Sequence, residues 1–165
     1  MQSIRQWYRQ RILNNIPLIL EHFDERAGIF RAEPGKESLY NHCLRPLAWF
    51  FKNDAPNLIF GDARVLDMIC RAGDNICANA GKDEADGALL GTEWIPYNLM
   101  ECIEWLAPEL GQARTDRWLK ALAAHLDGMK LISNYVCCAP NHQMWRAALL
   151  YRAGQLFDNA GWRAS

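Results

Sequence analysis

Three apolar segments of this chain open in the same way. Tyr40-Asn41-His42, Tyr97-Asn98-Leu99 and Pro140-Asn141-His142 each place an aromatic or a proline before an asparagine. Each then runs into an apolar stretch: Leu44 to Phe51, Met100 to Leu106, and Met144 to Phe157. Asparagine suits a helix start because its side chain accepts from backbone N–H groups that have no partner inside the helix. Other helix-like segments lie between the three. The pattern predicts helical hairpins with polar groups at one repeated end, and a row of inner helices lining a cavity.

The hydrophobic spacing fills in the hairpins. Ile4, Trp7, Tyr8, Ile12, Ile16, Ile19, Leu20 and Phe23 recur at helical spacing and predict a first segment over Ser3 to Phe23, kinked or split at Pro17. A loop follows over Ala27 to Lys36, and a second segment over Ser38 to Lys52, its start displaced by Pro46. Asp62 is placed to N-cap a third segment over Ala63 to Asn79. A polar turn centred on Asp86-Gly87 precedes a fourth segment from Trp94 to Leu106, stopped by Pro108 and Gly111. The fifth, Thr115 to Ile132, buries Trp118, Leu122, Leu126 and Met129. The sixth runs from Pro140 or Asn141 to Phe157. No convincing strand emerges. Segment starts near 38, 94 and 140, with partners near 3, 63 and 115, recur on the order of every 50 residues, a loose helix-pair repeat. Segments two, four and six are the more apolar and read as inner helices. Trp7, Trp49, Trp105 and Trp118 read as core. A plain helical bundle fits the pattern almost as well.

Bulk properties exclude several classes. A chain of 165 residues, half of them hydrophobic and 22% charged, can bury one real core and is not disordered. A net charge of −1 gives no footprint for nucleic acid or an anionic membrane surface, and no apolar run reaches bilayer-spanning length. The N-terminus does not read as a signal peptide, so a cytoplasmic location is expected for the chain as written, and a secreted or periplasmic one if a leader has been removed. Cys43, Cys70, Cys77 and Cys102 fall within apolar helical patterns and are expected as reduced, buried thiols; the role of the vicinal Cys137-Cys138 is not given by the pattern. No cysteine pair has metal-site spacing, and phosphate loops, nucleophile elbows and dinucleotide fingerprints are missing, so no metal or cofactor is expected.

The chemistry-bearing run is Asn141-His142-Gln143-Met144-Trp145. At a helix start the backbone favours an anion, an amide can donate to a carboxylate, and an imidazole can take a proton near neutral pH. Those are the parts needed to remove a proton beside a carboxylate, the first step in eliminating a uronic-acid glycosidic bond. Trp145, one turn on, could stack on a sugar ring. The plainer alternative makes Asn141 a cap, His142 an exposed first-turn residue and Trp145 core. Asn41-His42 is a second such pair, and Tyr97 with Asn98 opens the fourth segment. Arg45 and Arg146 follow the two Asn-His pairs by a turn, suited to a carboxylate contact or to salt bridges.

Asn141-His142-x-x-Trp145, at the start of an inner helix among repeated hairpins, resembles the (α/α)-toroid polysaccharide lyases of the alginate-lyase and heparinase II/III-like groups. The resemblance implies Asn141 as neutraliser of the uronate, His142 as base, and an anionic glycan as partner, with Asn41, His42, Tyr97, Asn98, Trp145 and Arg146 around the substrate. The family's later tyrosine is the point of departure. Tyr151 is the only tyrosine after the motif and shares its helix. The resemblance therefore implies a single all-helical domain, residues 1–165, that is the N-terminal part of a longer toroid, or else a role for Tyr40 or Tyr97. Two rivals stand beside it: an (α/α)-barrel glycoside hydrolase using Glu93 with Asp62 or Glu101, and a non-catalytic helical-repeat interaction module.

Overall fold

A computed structural model describes residues 3–32, 41–53, 57–79, 94–133 and 140–164, with the backbone alone at 41, 94, 128–133 and 140–143. The described residues are mainly helical, in seven α-helices: α1 (Ile4–Glu21), α2 (Leu44–Asn53), α3 (Ala63–Ala78), α4 (Trp94–Leu110), α5 (Gln112–Ser133), α6 (Pro140–Leu156) and α7 (Ala160–Arg163). A 3-10 turn, Asn41–Cys43, leads into α2, and strands β1 (Phe23–Asp24) and β2 (Ile29–Phe30) form a small antiparallel hairpin after α1. The chain is all-α, as its periodicity predicts.

The starts follow local chemistry. Ser3 and Gln6 form a reciprocal capping box at α1, and the Asp62 carboxylate accepts from the N–H groups of Arg64 and Val65 at α3. Pro46 and Pro140 both fall in the first turn of their helices, where a missing N–H costs nothing. Two interior prolines behave differently from expectation. α1 runs unbroken through Pro17, and α4 runs through Pro108 to Leu110, so Pro108 does not stop it. The stop is Gly111, whose φ of 73° is open to glycine and turns the chain directly into α5.

The β-hairpin, unforeseen from the sequence, replaces the expected last turn of α1. Asp24 Oδ1 accepts from the N–H groups of Arg26 and Ala27, and Gly28 takes a φ of 67°. That side-chain turn competes with the helix and closes the pair Phe23–Phe30. α7, also unforeseen, is capped by Asn159 and folds Trp162 inward, its indole N–H donating to Asp127 at 2.9 Å.

The core is one cluster drawn chiefly from α2, α3, α4 and α5. α2 lies beside α4 and α3, and α5 beside α4 and α3, so the four helices enclose a shared interior. α2 and α4 are parallel. Lys52 pairs with Glu109, Trp49 meets Trp105 edge-to-face at 5.2 Å, Arg45 pairs with Glu101, and His42 meets Asn98. All four contacts keep a sequence separation of 56 or 57. Two successive hairpins, α2–α3 and α4–α5, thus stack in one sense.

The inner-helix expectation fails in part. α3 is as deeply buried as α2 and α4, with Val65, Met68, Ile69, Cys70, Ala72, Gly73 and Ile76 inside. Among the described side chains of α6 the first buried one is Leu149, while Met144 and Trp145 are exposed. Of the four tryptophans expected in the core, Trp118 is fully buried and Trp105 half-buried, whereas Trp7 and Trp49 are 46% and 45% exposed. Spacing alone cannot tell a stripe that packs from one that does not.

Candidate functional site

Because α2 and α4 are parallel, their openings share one end of the molecule, and polar side chains collect there. The 3-10 turn places Cys43 in the core and leaves His42 exposed. Asn98, buried one turn into α4, brings Nδ2 to 3.5 Å from His42 Nδ1. With the amide donating, the imidazole proton sits on Nε2.

Tyr97 and Glu101 extend this end. The guanidinium groups of Arg45 and Arg152 lie over the Tyr97 ring at 5.7 and 5.0 Å from its centroid. Arg152 donates to the Tyr97 hydroxyl at 2.5 Å, to Glu101 at 2.9 Å and to Glu104 at 2.6 Å. Arg45 pairs with Glu101 from the other side. Glu101 is thereby a buried carboxylate clamped by two arginines, which offsets its loss of water. Burial works against the charge on Arg152, but Glu104 and Glu101 override it and raise its pKa. Two cations meet two carboxylates here, so the cluster is balanced. Beside the balanced cluster lie the exposed His42 ring, the Asn98 amide and two helix openings facing one way.

The sequence-predicted residues divide accordingly. His42, Tyr97 and Asn98 are brought together, with Arg45 beside them. Asn41 lies in the same 3-10 turn, and Asn141 and His142 in the first turn of α6; their side chains fall outside the described residues. Trp145 is exposed and Arg146 half-buried on the next turn of α6. Tyr40, Glu93, Cys137 and Cys138 also lie outside the described residues. It is the later half of α6, through Arg152, that reaches the opening of α4. Spacing in the sequence gave no signal for Arg152, although Tyr97, Glu101 and Glu104 at i, i+4 and i+7 mark an acidic, aromatic face of α4 that a cation could cover.

The four described cysteines are free thiols. Burial pushes Cys43, Cys70 and Cys102 up, and Cys77 up to about 12, so none of them is a nucleophile at neutral pH. Among the described residues no cluster of histidine, cysteine or carboxylate could hold a metal ion, and no helix is long and apolar enough to cross a membrane.

A concavity lies against α1. A groove of about 640 Å³ runs between α1 and the wall formed by Phe30, Arg31, Ala32 and Pro46. No family model, curated protein or solved structure matches this chain.

Proposed function

We propose that this chain acts on a uronate-containing glycan by β-elimination, with the glycan bound along the polar end shared by α2 and α4. One observation carries the reading: His42 and Asn98 meet beside Tyr97 at the common opening of two parallel helices. An amide that donates to a carboxylate, an imidazole N–H that donates beside it and a phenol are groups that can hold a uronate. By the resemblance, Asn141 and His142 at the opening of α6 supply the neutraliser and the base, and His42, Tyr97 and Asn98 bind substrate. The stacked hairpins α2–α3 and α4–α5 would then be successive units of an (α/α)-toroid-like array.

The hydrolase alternative finds less support. Asp62 is engaged as the cap of α3, and Glu101 is buried and charge-neutralised, unlike an acid that must donate a proton. The interaction-module alternative draws on a separate observation, the exposed apolar surface of α1.

Incubation with a panel of anionic polysaccharides, followed by ultraviolet absorbance of unsaturated products, tests the proposal. A rise that His142→Ala abolishes, and that His42→Ala weakens mainly through KM, is expected. No rise with any substrate, or a rise unchanged in both variants, overturns it.

A further inference from the structure

α1 stands apart from the rest of the fold. Of its eighteen residues only Ile16 is buried, while Leu13, Ile19 and Leu20 rest partly against the core. Ile4, Trp7, Tyr8, Ile12 and Leu18 remain between 38% and 75% exposed. A helix earns its stability in water mainly by burying an apolar face. Here much of that face is left uncovered.

The uncovered surface has a shape. Tyr8, Arg11, Ile12, Asn15, Ile19 and His22 line one wall of the 640 Å³ groove. They recur at i, i+3, i+4, i+7, i+11 and i+14, a continuous stripe down four turns, about 21 Å long. Ala32 and Pro46 stand on the facing side. The stripe is as long as one helix of about 14 residues.

The surface also has a sign. Between Ile4 and Leu20, α1 carries Arg5, Arg9 and Arg11 and no acidic residue. Arg11 packs its guanidinium 5.3 Å from the Trp7 ring centroid, and no carboxylate among the described residues pairs with it. Arg31, on the opposite lip, pairs with Asp24. Among the described residues the groove lining includes arginine and histidine but no carboxylate. A second copy of α1 would bring arginine against arginine, so self-pairing is disfavoured.

We propose that this groove docks an acidic amphipathic helix from another protein, its apolar anchors seated along Tyr8, Ile12 and Ile19 and a carboxylate on Arg11. The mode is a helix laid in a groove, read by anchors at i, i+3 or i+4 and i+7. Its test leaves the glycan site untouched, since Arg11 and Ile12 lie outside the His42–Asn98 end.

Fluorescence anisotropy with labelled helical peptides of about 14 residues tests it. One panel carries leucine at the anchor positions and glutamate elsewhere; a matched panel carries lysine in place of glutamate. Saturable binding of a glutamate peptide, weakened by salt and lost about tenfold or more in Ile12→Asp, is the expected result. Arg11→Glu should weaken the glutamate peptide and strengthen its lysine counterpart. Both substitutions are on exposed positions, and unchanged thermal unfolding confirms that the fold survives. Equal binding of the lysine peptides, or no binding by any glutamate peptide, overturns the proposal. So does co-sedimentation with vesicles of phosphatidylcholine and phosphatidylserine that Ile12→Asp abolishes, or a dimer lost in that variant.

Discussion

Asp74 holds α3 to α5 with three donors at once. The Trp118 indole donates at 2.8 Å, Arg117 at 2.9 Å and Arg114 at 3.2 Å. Next to it Gly73 gives the Trp118 ring its seat, where a Cβ would overlap the ring carbons. Asp74→Ala should cost about 2 kcal/mol in urea unfolding, since it strands a buried indole N–H and two cations. Gly73→Ala should cost about 1–3 kcal/mol through overpacking. Burial pushes the Asp74 carboxyl up, but Trp118, Arg117 and Arg114 pull harder and hold it below the usual carboxylate range. A depressed carboxylate contributes stability above its unfolded value, near 3.8, and loses it as pH falls through the lower folded value. Asp74→Asn should therefore flatten the acid limb of the stability curve.

His125 on α5 titrates in a milder range. Burial lowers its pKa below 6.5, and its Nε2 finds no hydrogen-bond partner among the described residues. Below pH 6.5 the unfolded chain takes a proton that the folded chain resists, so stability should decline as pH drops through and below that value. His125→Gln should remove that slope, as chemical denaturation at a series of pH values would show. Neither effect was legible in the sequence. A histidine or aspartate in a helical stripe does not announce its partner, and Asp74 sits 40 residues or more from all three of its donors.

At the scale of elements, the α2–α4 seam is held by charge as well as packing. Glu101→Gln removes the counter-ion of Arg45 and Arg152 while leaving the volume unchanged, and should cost about 2–3 kcal/mol, less than a fully buried pair because Arg45 is half exposed. Double-mutant cycles with Arg152→Met would separate the pair from the orphaned charge. Gly111→Ala should cost about 1–2 kcal/mol from the left-handed backbone alone, because open space surrounds the position. Most helices were readable from periodicity and caps, Asp62 above all. The misreadings have a common cause. A proline was weighed by its local penalty, yet at Pro108 the lost rung is outweighed by Leu106 and Leu110, both buried on either side of it. The β-hairpin was hidden because Asp24 makes its turn with a side chain, in a stretch whose apolar residues continue the helical period.

For the whole molecule, burial is uneven, and local stability should follow it. Amide exchange should be slowest around Leu99, Met100, Cys102, Ile103 and Leu106 of α4, which sit at the centre of the core. The first three turns of α1 should exchange on the order of a hundredfold faster or more, fraying without global unfolding. The all-α class could be read from the sequence, but not the hairpins: the spacing pairs α1 with α2 and α3 with α4, whereas the chain packs α2 on α3 and α4 on α5. The polar gathering at the start of α2 and α4 was also anticipated, through Asn98 and His42. How α6 sits could not be read, because an apolar run that meets the core over half its length looks the same as one that meets it throughout.

The parallel seating of α2 against α4 also bears on how fast the chain finds its fold. Antiparallel neighbours such as α4 and α5 meet after closing a short loop, and helical proteins built that way reach the native state quickly. The seam from His42–Asn98 to Lys52–Glu109 instead joins residues 56 or 57 apart, with all of α3 returning between them. Each of its contacts is bought with a long closure before any of them rewards the chain. The rate-limiting step should be the docking of one finished hairpin on the other, which gives an all-helical protein the kinetics of a fold with parallel strands.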